Sequence, residues 1–153
     1  MATKFPTFTA ANSALLLIDH QVGTMQLIKN ISLEVAQRNT IALAKAAKLL
    51  DLPVVLTSSQ EQMHQGPLMP ELEQILPIPF AARISRAGIV NAWNDPNFVA
   101  AVKKTGRKNL IMAGVTTDGS AMIASISAVR EGFYVQAVMD ASGSRFEISE
   151  EMS

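Results

Sequence analysis

The chain of 153 residues is long enough for one folded domain with a hydrophobic core, and too short for two domains of ordinary size. Acidic and basic residues balance at 13 each and no run of Lys or Arg occurs, which argues against a nucleic-acid partner or an anionic membrane surface. The apolar runs are too short to span a membrane, and the N-terminus lacks the pattern of an export signal. We therefore predict a cytoplasmic protein.

Cysteine is absent from the sequence, which excludes disulfides, thiolate metal sites and a thiol nucleophile. The two histidines, His20 and His64, are far apart in the sequence, and neither belongs to a spaced set of His and carboxylate residues. No glycine-rich phosphate-binding motif occurs. The sequence thus predicts neither a metal nor an organic cofactor.

The first predicted strand, residues 14–18 (ALLLI), is an apolar run without alternation, as in a strand that is covered on both faces. Asp19 follows it. The ligand crevice of an open parallel sheet lies outside the carboxyl ends of the strands, so Asp19 is either a site residue or the cap of the next turn. An amphipathic helix over 32–51 comes next, and then a strand over 54–56 with a polar tip.

The middle of the chain carries weaker signals. Residues 60–70 are punctuated by Gly and Pro and predict a loop, whose His64 we interpret as a surface residue rather than a ligand contact. Residues 80–84 predict a weak third strand. A helix is predicted over 96–104, with Asp95 as its N-cap and a proline at its first position.

The stretch from 109 to 130 carries most of the functional signal. An apolar run ends at Gly114, a polar turn follows over 115–120, and a helix of small residues continues the chain. This order places Ser120 and unpaired backbone N–H groups at a helix N-terminus, where a nucleophile or an oxyanion would be stabilised. The alternative is a plain strand-to-helix junction whose Thr and Asp side chains cap the helix.

The C-terminal part predicts a fifth strand over 134–138, with another polar tip at 140–143. Ser144 and Glu147 have the spacing of a capping box, which predicts the start of a further helix. Strands and helices alternate along the whole chain. This order predicts an α/β fold in a single domain, a parallel sheet with helices on both faces and right-handed crossovers.

Four separated blocks, in the expected order and spacing, resemble the isochorismatase-like hydrolase superfamily, in particular its YcaC-type members. The blocks are ALLLIDHQ (14–21), GIVNAWNDP (88–96), AGVTTDGS (113–120) and VMDASG (138–143). The resemblance extends from about Asn12 to the end of the chain. It implies a Rossmann-like open parallel sheet and a small-molecule substrate, bound at the carboxyl ends of the strands in a site that a neighbouring subunit often completes.

Family members typically hydrolyse C–N bonds of small amides with an Asp, a Lys and a Cys. The resemblance assigns Asp19 as general base and later acid, and it places Ser120 at the position of the Cys. Val115, Thr116 and Thr117 match the segment that helps to form the oxyanion hole. In the family this segment carries a cis peptide bond, which maps before Thr116.

Two departures from the family pattern bear on the chemistry. An alcohol is a weaker nucleophile than a thiolate, so Ser120 needs a well-placed base. No lysine precedes the second block; Arg86 is the nearest cation and Arg83 the next, and a guanidinium does not give up its proton. Within the second block we assign Asn91 and Trp93 to substrate or oxyanion binding, with a core role for Trp93 as the equal alternative.

Three hypotheses about function follow. The chain is a hydrolase of a small amide or a vinyl ether, a catalytically silent homologue that keeps a pocket for a small carbonyl compound, or a structural subunit of an oligomer. A Ser/His/Asp triad would require His20 or His64 to reach Ser120, and adjacent strand residues such as Asp19 and His20 point to opposite faces.

The family's chains continue beyond the last predicted helix, so we expect the domain over 1–153 to be a truncated or degenerate copy. A missing edge element would expose apolar surface on the last strand and helix. On this ground we predict a homo-oligomer.

Overall fold

The computed structural model describes residues 4–153 and contains a five-stranded parallel sheet. The strands are β1 (Ser13–Ile18), β2 (Val54–Ser59), β3 (Ile84–Arg86), β4 (Asn109–Gly114) and β5 (Tyr134–Ala137). The helices are α1 (Leu33–Leu49), α2 (Pro70–Ile75), α3 (Pro77–Ala81), α4 (Pro96–Lys104), α5 (Met122–Arg130) and α6 (Glu147–Glu151). The strand order is β3-β2-β1-β4-β5, so the predicted α/β fold with a parallel sheet is confirmed. In residues 4–153, no helix has the length and apolar character needed to cross a membrane.

The central strand β1 explains why its sequence does not alternate. Each of its six residues is at most 1% exposed. Leu15 and Leu17 pack into a core cluster with α1 and α2, whereas Leu16 and Ile18 pack into a second cluster with α4 and α5. Because successive side chains enter opposite faces of the sheet, both faces need apolar residues. The helices therefore cover the sheet on both sides, as predicted.

Helices α1 and α4 begin within one residue of their predicted starts. Ser32 is the N-cap of α1 and accepts a hydrogen bond from Val35 N, and Asp95 is the N-cap of α4, whose first residue is Pro96. These caps satisfy N–H groups that have no partner inside the helix, which is why short polar side chains occur there.

Two local predictions are wrong. The strand predicted over 80–84 is mostly helix and turn: Pro77–Ala81 form α3, and β3 begins at Ile84. Prolines favour the first turn of a helix, and that preference outweighs the short apolar pattern here. The capping box does not form either, because α6 has Phe146 at its N-cap and Ser144 Oγ donates to Glu150 Oε2 at 2.6 Å instead.

The order of the strands places a topological switch between β1 and β4. The chain moves outward from β1 through β2 to β3, then returns to the other side of β1 as β4. Ile18 is paired with Gly114 at the carboxyl ends of these two strands, and Val115 N donates to Ile18 O at 3.0 Å. The segments after β1 and β4 therefore begin side by side, where open α/β sheets bind ligands.

His20 joins the end of β1 to the segment after β5. It is completely buried, and its Nε2–H donates to the Ala141 carbonyl at 2.8 Å. Its Nδ1 is buried without a hydrogen-bond partner among the described residues. Burial lowers the pKa of His20, although the Ala141 hydrogen bond and the nearby Asp19 charge act in the opposite direction. The folded protein therefore holds this imidazole neutral more readily than the unfolded chain does.

This burial predicts a loss of stability on mild acidification. Below the unfolded pKa of about 6.5 the unfolded chain takes up a proton that folded His20 resists, so the unfolded state gains. Between about pH 7.5 and about pH 5.5 we expect His20 to reduce the free energy of unfolding by on the order of 1 kcal/mol. Urea unfolding at each pH measures this. In His20→Gln this change in the free energy of unfolding with pH should disappear. In His64→Gln, a control at an exposed position, it should remain. The same dependence on pH in the wild type and in His20→Gln would contradict the prediction.

Candidate active site

The carboxyl ends of β1, β2 and β4 open into a cavity of about 490 Å³. Of the side chains assigned to the site by sequence, Asp19, Arg86 and Ser120 line it, together with Val115 and Thr116 of the turn after β4. These residues come from three distant parts of the chain. The structure therefore brings the three predicted catalytic side chains together.

Asp19 and Arg86 form a bidentate ion pair on the floor of this cavity. Arg86 Nη1 donates to Asp19 Oδ1 and Nη2 donates to Oδ2, each at 2.9 Å. Both residues are buried, at 6% and 2% exposed. Asp19 has a positive φ of 60°, an uncommon conformation that Asp tolerates better than most residues. The guanidinium compensates a carboxylate charge that would be costly to bury alone.

Arg86 is itself held by other parts of the sheet. Nη1 also donates to Thr57 Oγ1 at 2.8 Å, and Nε donates to the Ile89 carbonyl at 3.0 Å. Arg83, the second candidate, instead forms an ion pair with Glu61 at 2.7 Å and does not line the cavity. Burial and a planar, bidentate contact make Arg86 the cation of the site.

Ser120 lies within hydrogen-bond distance of this ion pair. Its Oγ is 2.9 Å from Asp19 Oδ2 and 3.0 Å from the Val115 carbonyl, so a single hydroxyl proton has two acceptors available. Ser120 is 7% exposed. A hydroxyl in contact with a carboxylate, facing a cavity, has the arrangement of a nucleophile with its general base.

The turn that carries Ser120 is fixed by contacts at both ends. The Val115–Thr116 peptide bond is cis, as the resemblance implied. Ser120 N donates to Thr116 O at 2.8 Å, and Thr117 N donates to Gly143 O at 2.9 Å. The Thr116 N–H has no acceptor within residues 4–153. It is a backbone donor on a residue that lines the cavity, available to a ligand oxygen.

A π-helical turn, Thr117–Ala121, connects this segment to α5. Gly114 allows the close approach of that turn to β4: a Cβ on Gly114 would lie 3.0 Å from Ala121 N. Gly143, which receives the Thr117 N–H, packs against Ile28, and a Cβ there would lie 2.6 Å from an Ile28 methyl. A Cβ at either position would therefore require its neighbours to shift.

Three residues assigned to substrate or oxyanion binding lie outside the cavity. The Thr117 side chain is buried away from it. Trp93 packs edge-to-face against Phe98 and Phe133, and its Nε1 donates to Glu131 at 3.0 Å. A tight turn at Ala92–Asn94 directs the indole into the core, so the core alternative describes Trp93.

Asn91 also has a structural rather than a cavity-lining position. Its Oδ1 accepts the Trp93 N–H and its Nδ2 donates to Ser127 Oγ, each at 3.0 Å. Both bonds hold the turn before α4 against α5. Its amide is thus hydrogen-bonded to protein groups, and Asn91 does not line the cavity.

The sequence did not lead us to predict the wall of the cavity that Gln21 and Gly23 help to form. Gln21 is completely buried; its Nε2 donates to Ser59 O at 2.8 Å and to Gly66 O, and its Oε1 accepts Ser59 N at 2.9 Å. The amide thereby fastens the loop after β2 over the cavity. A Cβ on Gly23 would lie 1.8 Å from the His64 carbonyl, so that loop packs directly on the Gly23 backbone. The available signal was that Gln21 closes the first block of the family pattern.

His64, interpreted as a surface residue, is exposed and also lines this wall. Neither His64 nor His20 hydrogen bonds to Ser120 in the described structure; His20 is committed to Ala141 on the opposite side of β1. The geometry therefore contains no Ser/His/Asp triad. Within residues 4–153, no three His, Asp or Glu side chains are grouped as metal ligands.

Because the ion pair is buried, we expect a large loss of stability when its cation is removed. Arg86→Met would leave Asp19 charged and buried without a partner, and we expect the free energy of unfolding to fall by about 3–5 kcal/mol. Arg83→Met is the matched control; its side chain is 28% exposed, and its loss should cost no more than about 1 kcal/mol. Denaturant unfolding measures both variants.

The double variant Asp19→Asn/Arg86→Met tests the cause of that penalty. Because it removes both buried charges, it should recover part of the stability lost in Arg86→Met. Equal costs for Arg86→Met and Arg83→Met would show that the buried pair is not the stabilising interaction we infer.

Comparisons with known proteins identify the family of this chain. The family model described as "Isochorismatase domain" matches residues 13–153. The chain is 44% identical over 139 residues to "Probable hydrolase YcaC" of Escherichia coli (strain K12); the match covers 90% of this chain and 65% of that protein, slightly less than two thirds of its length.

Two solved structures are similar to almost the whole chain. The YcaC gene product of Escherichia coli, described as an octameric hydrolase of unknown specificity, superposes with a TM-score of 0.94 and 40% identity, covering 99% of this chain and 73% of that one. YcaC from Pseudomonas aeruginosa, with hexane-2,5-diol and covalent acrylamide, also gives 0.94, with 38% identity and 99% and 74% coverage. The chain therefore belongs to the isochorismatase family of hydrolases, with its family match extending from Ser13 to Ser153.

Proposed function

We propose that this protein hydrolyses the C–N bond of a small amide, with Asp19 as general base and acid and Ser120 as nucleophile. The observation that carries the proposal is the contact of 2.9 Å between Ser120 Oγ and Asp19 Oδ2 at the floor of the cavity. The resemblance of the first and third sequence blocks, which hold Asp19 and Ser120, to family members that hydrolyse C–N bonds favours an amide over a vinyl ether.

The first half of the proposed reaction forms an acyl-enzyme. Asp19 Oδ2 accepts the hydroxyl proton as Ser120 Oγ attacks the carbonyl carbon of the amide, and the carbonyl π electrons move onto its oxygen. The Thr116 N–H, which has no acceptor within the described residues, donates to this oxyanion. The C–N bond then breaks, Asp19 returns the proton to the departing nitrogen, and ammonia leaves.

The second half releases the acid. Water attacks the ester carbonyl of the acyl-enzyme while Asp19 accepts one of its protons. The bond between Ser120 Oγ and the acyl carbon breaks, Oγ regains a proton, and a carboxylic acid departs. Arg86 transfers no proton; it fixes the orientation of Asp19 through two hydrogen bonds of 2.9 Å and balances its charge.

A carboxylate is a weak base for an alcohol, so we expect slow turnover by the parent protein. A cysteine at the same position needs no strong base, because its thiolate forms much closer to neutral pH. Ser120→Cys should therefore turn over small amides faster than the parent, by about 10-fold or more.

The test is release of ammonia from a set of small primary amides by the parent, Asp19→Asn, Ser120→Ala and Ser120→Cys. We expect activity in the parent that falls by about 100-fold or more in Asp19→Asn and in Ser120→Ala. Thr24→Ser, at the cavity rim, serves as a control that leaves the catalytic groups unchanged. Activity that persists in Ser120→Ala but not in Asp19→Asn would replace Ser120 by water as nucleophile, and activity in Ser120→Cys alone would make this chain a catalytically silent homologue.

We also propose that the protein assembles as a homo-oligomer. The Escherichia coli relative is described as octameric. In the described structure, the C-terminal region exposes large apolar side chains, including Phe146 at 59%, Ile148 at 65% and Met152 at 80%. Patches of this kind are typical of interaction surfaces.

Light scattering across a range of protein concentrations tests the assembly. We expect a mass of at least two chains, where one chain has a mass of 16.5 kDa. Replacement of Phe146 and Ile148 by Ser should lower that mass if these side chains are in the interface, whereas Ile78→Ser, another exposed apolar position, is the control. A mass of one chain at every concentration would overturn the proposal.

A further inference from the structure

The charge balance of the cavity points to the class of amide that it accepts. We infer that the substrate is uncharged, and that the site discriminates against amides that carry a carboxylate elsewhere in the molecule. This inference rests on the proposed function, because it names the substrate class of the same site. Three features of the cavity support it: the net charge of the side chains that line it, the hydrogen bonds that already hold Arg86, and the polarity of its walls.

The charged groups of the cavity cancel. Among the described residues, the titratable side chains that line it are Asp19, Arg86 and His64. Asp19 and Arg86 face each other in two contacts of 2.9 Å and together carry no net charge. His64 lies on an exposed part of the wall. The floor, where the reacting carbonyl must sit, therefore offers no excess positive charge to a substrate anion.

Most of the hydrogen-bonding capacity of the cation on the floor is also used within the protein. Four of the five N–H groups of Arg86 have protein acceptors: two on Asp19, one on Thr57 Oγ1 and one on the Ile89 carbonyl. Arg86 is 2% exposed, so it cannot turn toward a ligand without breaking these bonds. A carboxylate that entered would lose its water without gaining a counter-charge, and it would approach the negative charge of Asp19.

The walls favour a short uncharged chain. Leu27, Met63 and Val90 line the cavity and are 41%, 61% and 64% exposed, so apolar surface is available to a ligand. Apart from His64, the polar side chains of the walls are neutral amides and hydroxyls, Gln60 and Gln65 among them. Apolar surface with a few neutral polar groups binds an uncharged aliphatic amide by desolvation, and it gives a carboxylate no comparable gain.

Three amides, two of them matched in length, test this inference on the full chain. Butyramide is neutral, succinamate replaces its terminal methyl by a carboxylate, and the methyl ester of succinamate restores neutrality at larger size. Ammonia release gives kcat/KM for each, and ligand-observed NMR titration gives Kd whether or not turnover occurs. We expect kcat/KM for succinamate to be about 100-fold below that for butyramide, with the ester within about 10-fold of butyramide.

A charge added to the wall should reverse the discrimination. Met63→Lys places a cation in the cavity and should raise the ratio of succinamate to butyramide kcat/KM by about 10-fold or more, because the carboxylate then has a partner. Met63→Gln, of similar length and neutral, should leave the ratio near its parent value. His64→Gln should also leave it near that value, which shows that the exposed imidazole does not serve as the anion site.

The outcomes separate this inference from the proposed function. Similar kcat/KM values for succinamate and butyramide would overturn the inference while the hydrolase proposal stands. Absence of turnover with all three amides would count against the hydrolase proposal, and the NMR titration would then decide the inference alone. Tighter binding of butyramide than of succinamate supports it; equal or tighter binding of succinamate, or no binding of butyramide, overturns it.

Discussion

The ion pair between Asp19 and Arg86 is the interaction on which the rest of the site depends. A carboxylate at 6% exposure is costly to bury alone, and the guanidinium removes that cost through two hydrogen bonds of 2.9 Å. The same contact fixes the direction of Asp19 Oδ2, the oxygen that Ser120 reaches. Thr57, on the strand between the two partners, accepts a further bond from Arg86, so three adjacent strands hold one charge pair in place. The same ion pair therefore orients Asp19, the proposed general base, and joins the carboxyl ends of three strands.

The turn that carries Ser120 is held by close backbone packing rather than by charge. The turn after β4 is held between β1, through Val115 N and Ile18 O, and the segment after β5, through Thr117 N and Gly143 O. Gly114 and Gly143 lack a Cβ, and this lets Gly114 lie close to Ala121 and Gly143 close to the Ile28 side chain. His20 fastens the same post-β5 segment from the far side of β1. Ser120 is thus carried by a turn that two backbone hydrogen bonds attach to its neighbours, and such preorganisation is what the proposed nucleophile needs in order to meet its base.

Much of the architecture could be predicted from the sequence, because it is encoded in local patterns. A strand buried on both faces must be continuously apolar, as β1 is, and the N-caps of α1 and α4 follow from Ser32 and Asp95. The errors occurred where the local pattern is short or ambiguous, as at residues 80–84, where prolines favour a helix. In the site, Asp19 and Ser120 could be named from the family pattern, and Arg86 as the cation nearest to the second block. Asn91 and Trp93, assigned within that block, lie outside the cavity.

The sequence by itself determined the chemistry that the chain can offer: a carboxylate directly after the central strand, a hydroxyl at a strand-to-helix turn, and no thiol anywhere. Tertiary structure alone decided which of these groups meet. Arg86 rather than Arg83 faces Asp19 because the register of β3 on β2 pairs Ser59 with Arg86 at the carboxyl end of the sheet. Gln21 fastens a loop that begins 38 residues later in the chain, and Trp93 turns into the core. Such pairings depend on strand register and on the path of loops, which are set by the packing of the whole molecule and not by any local run of residues.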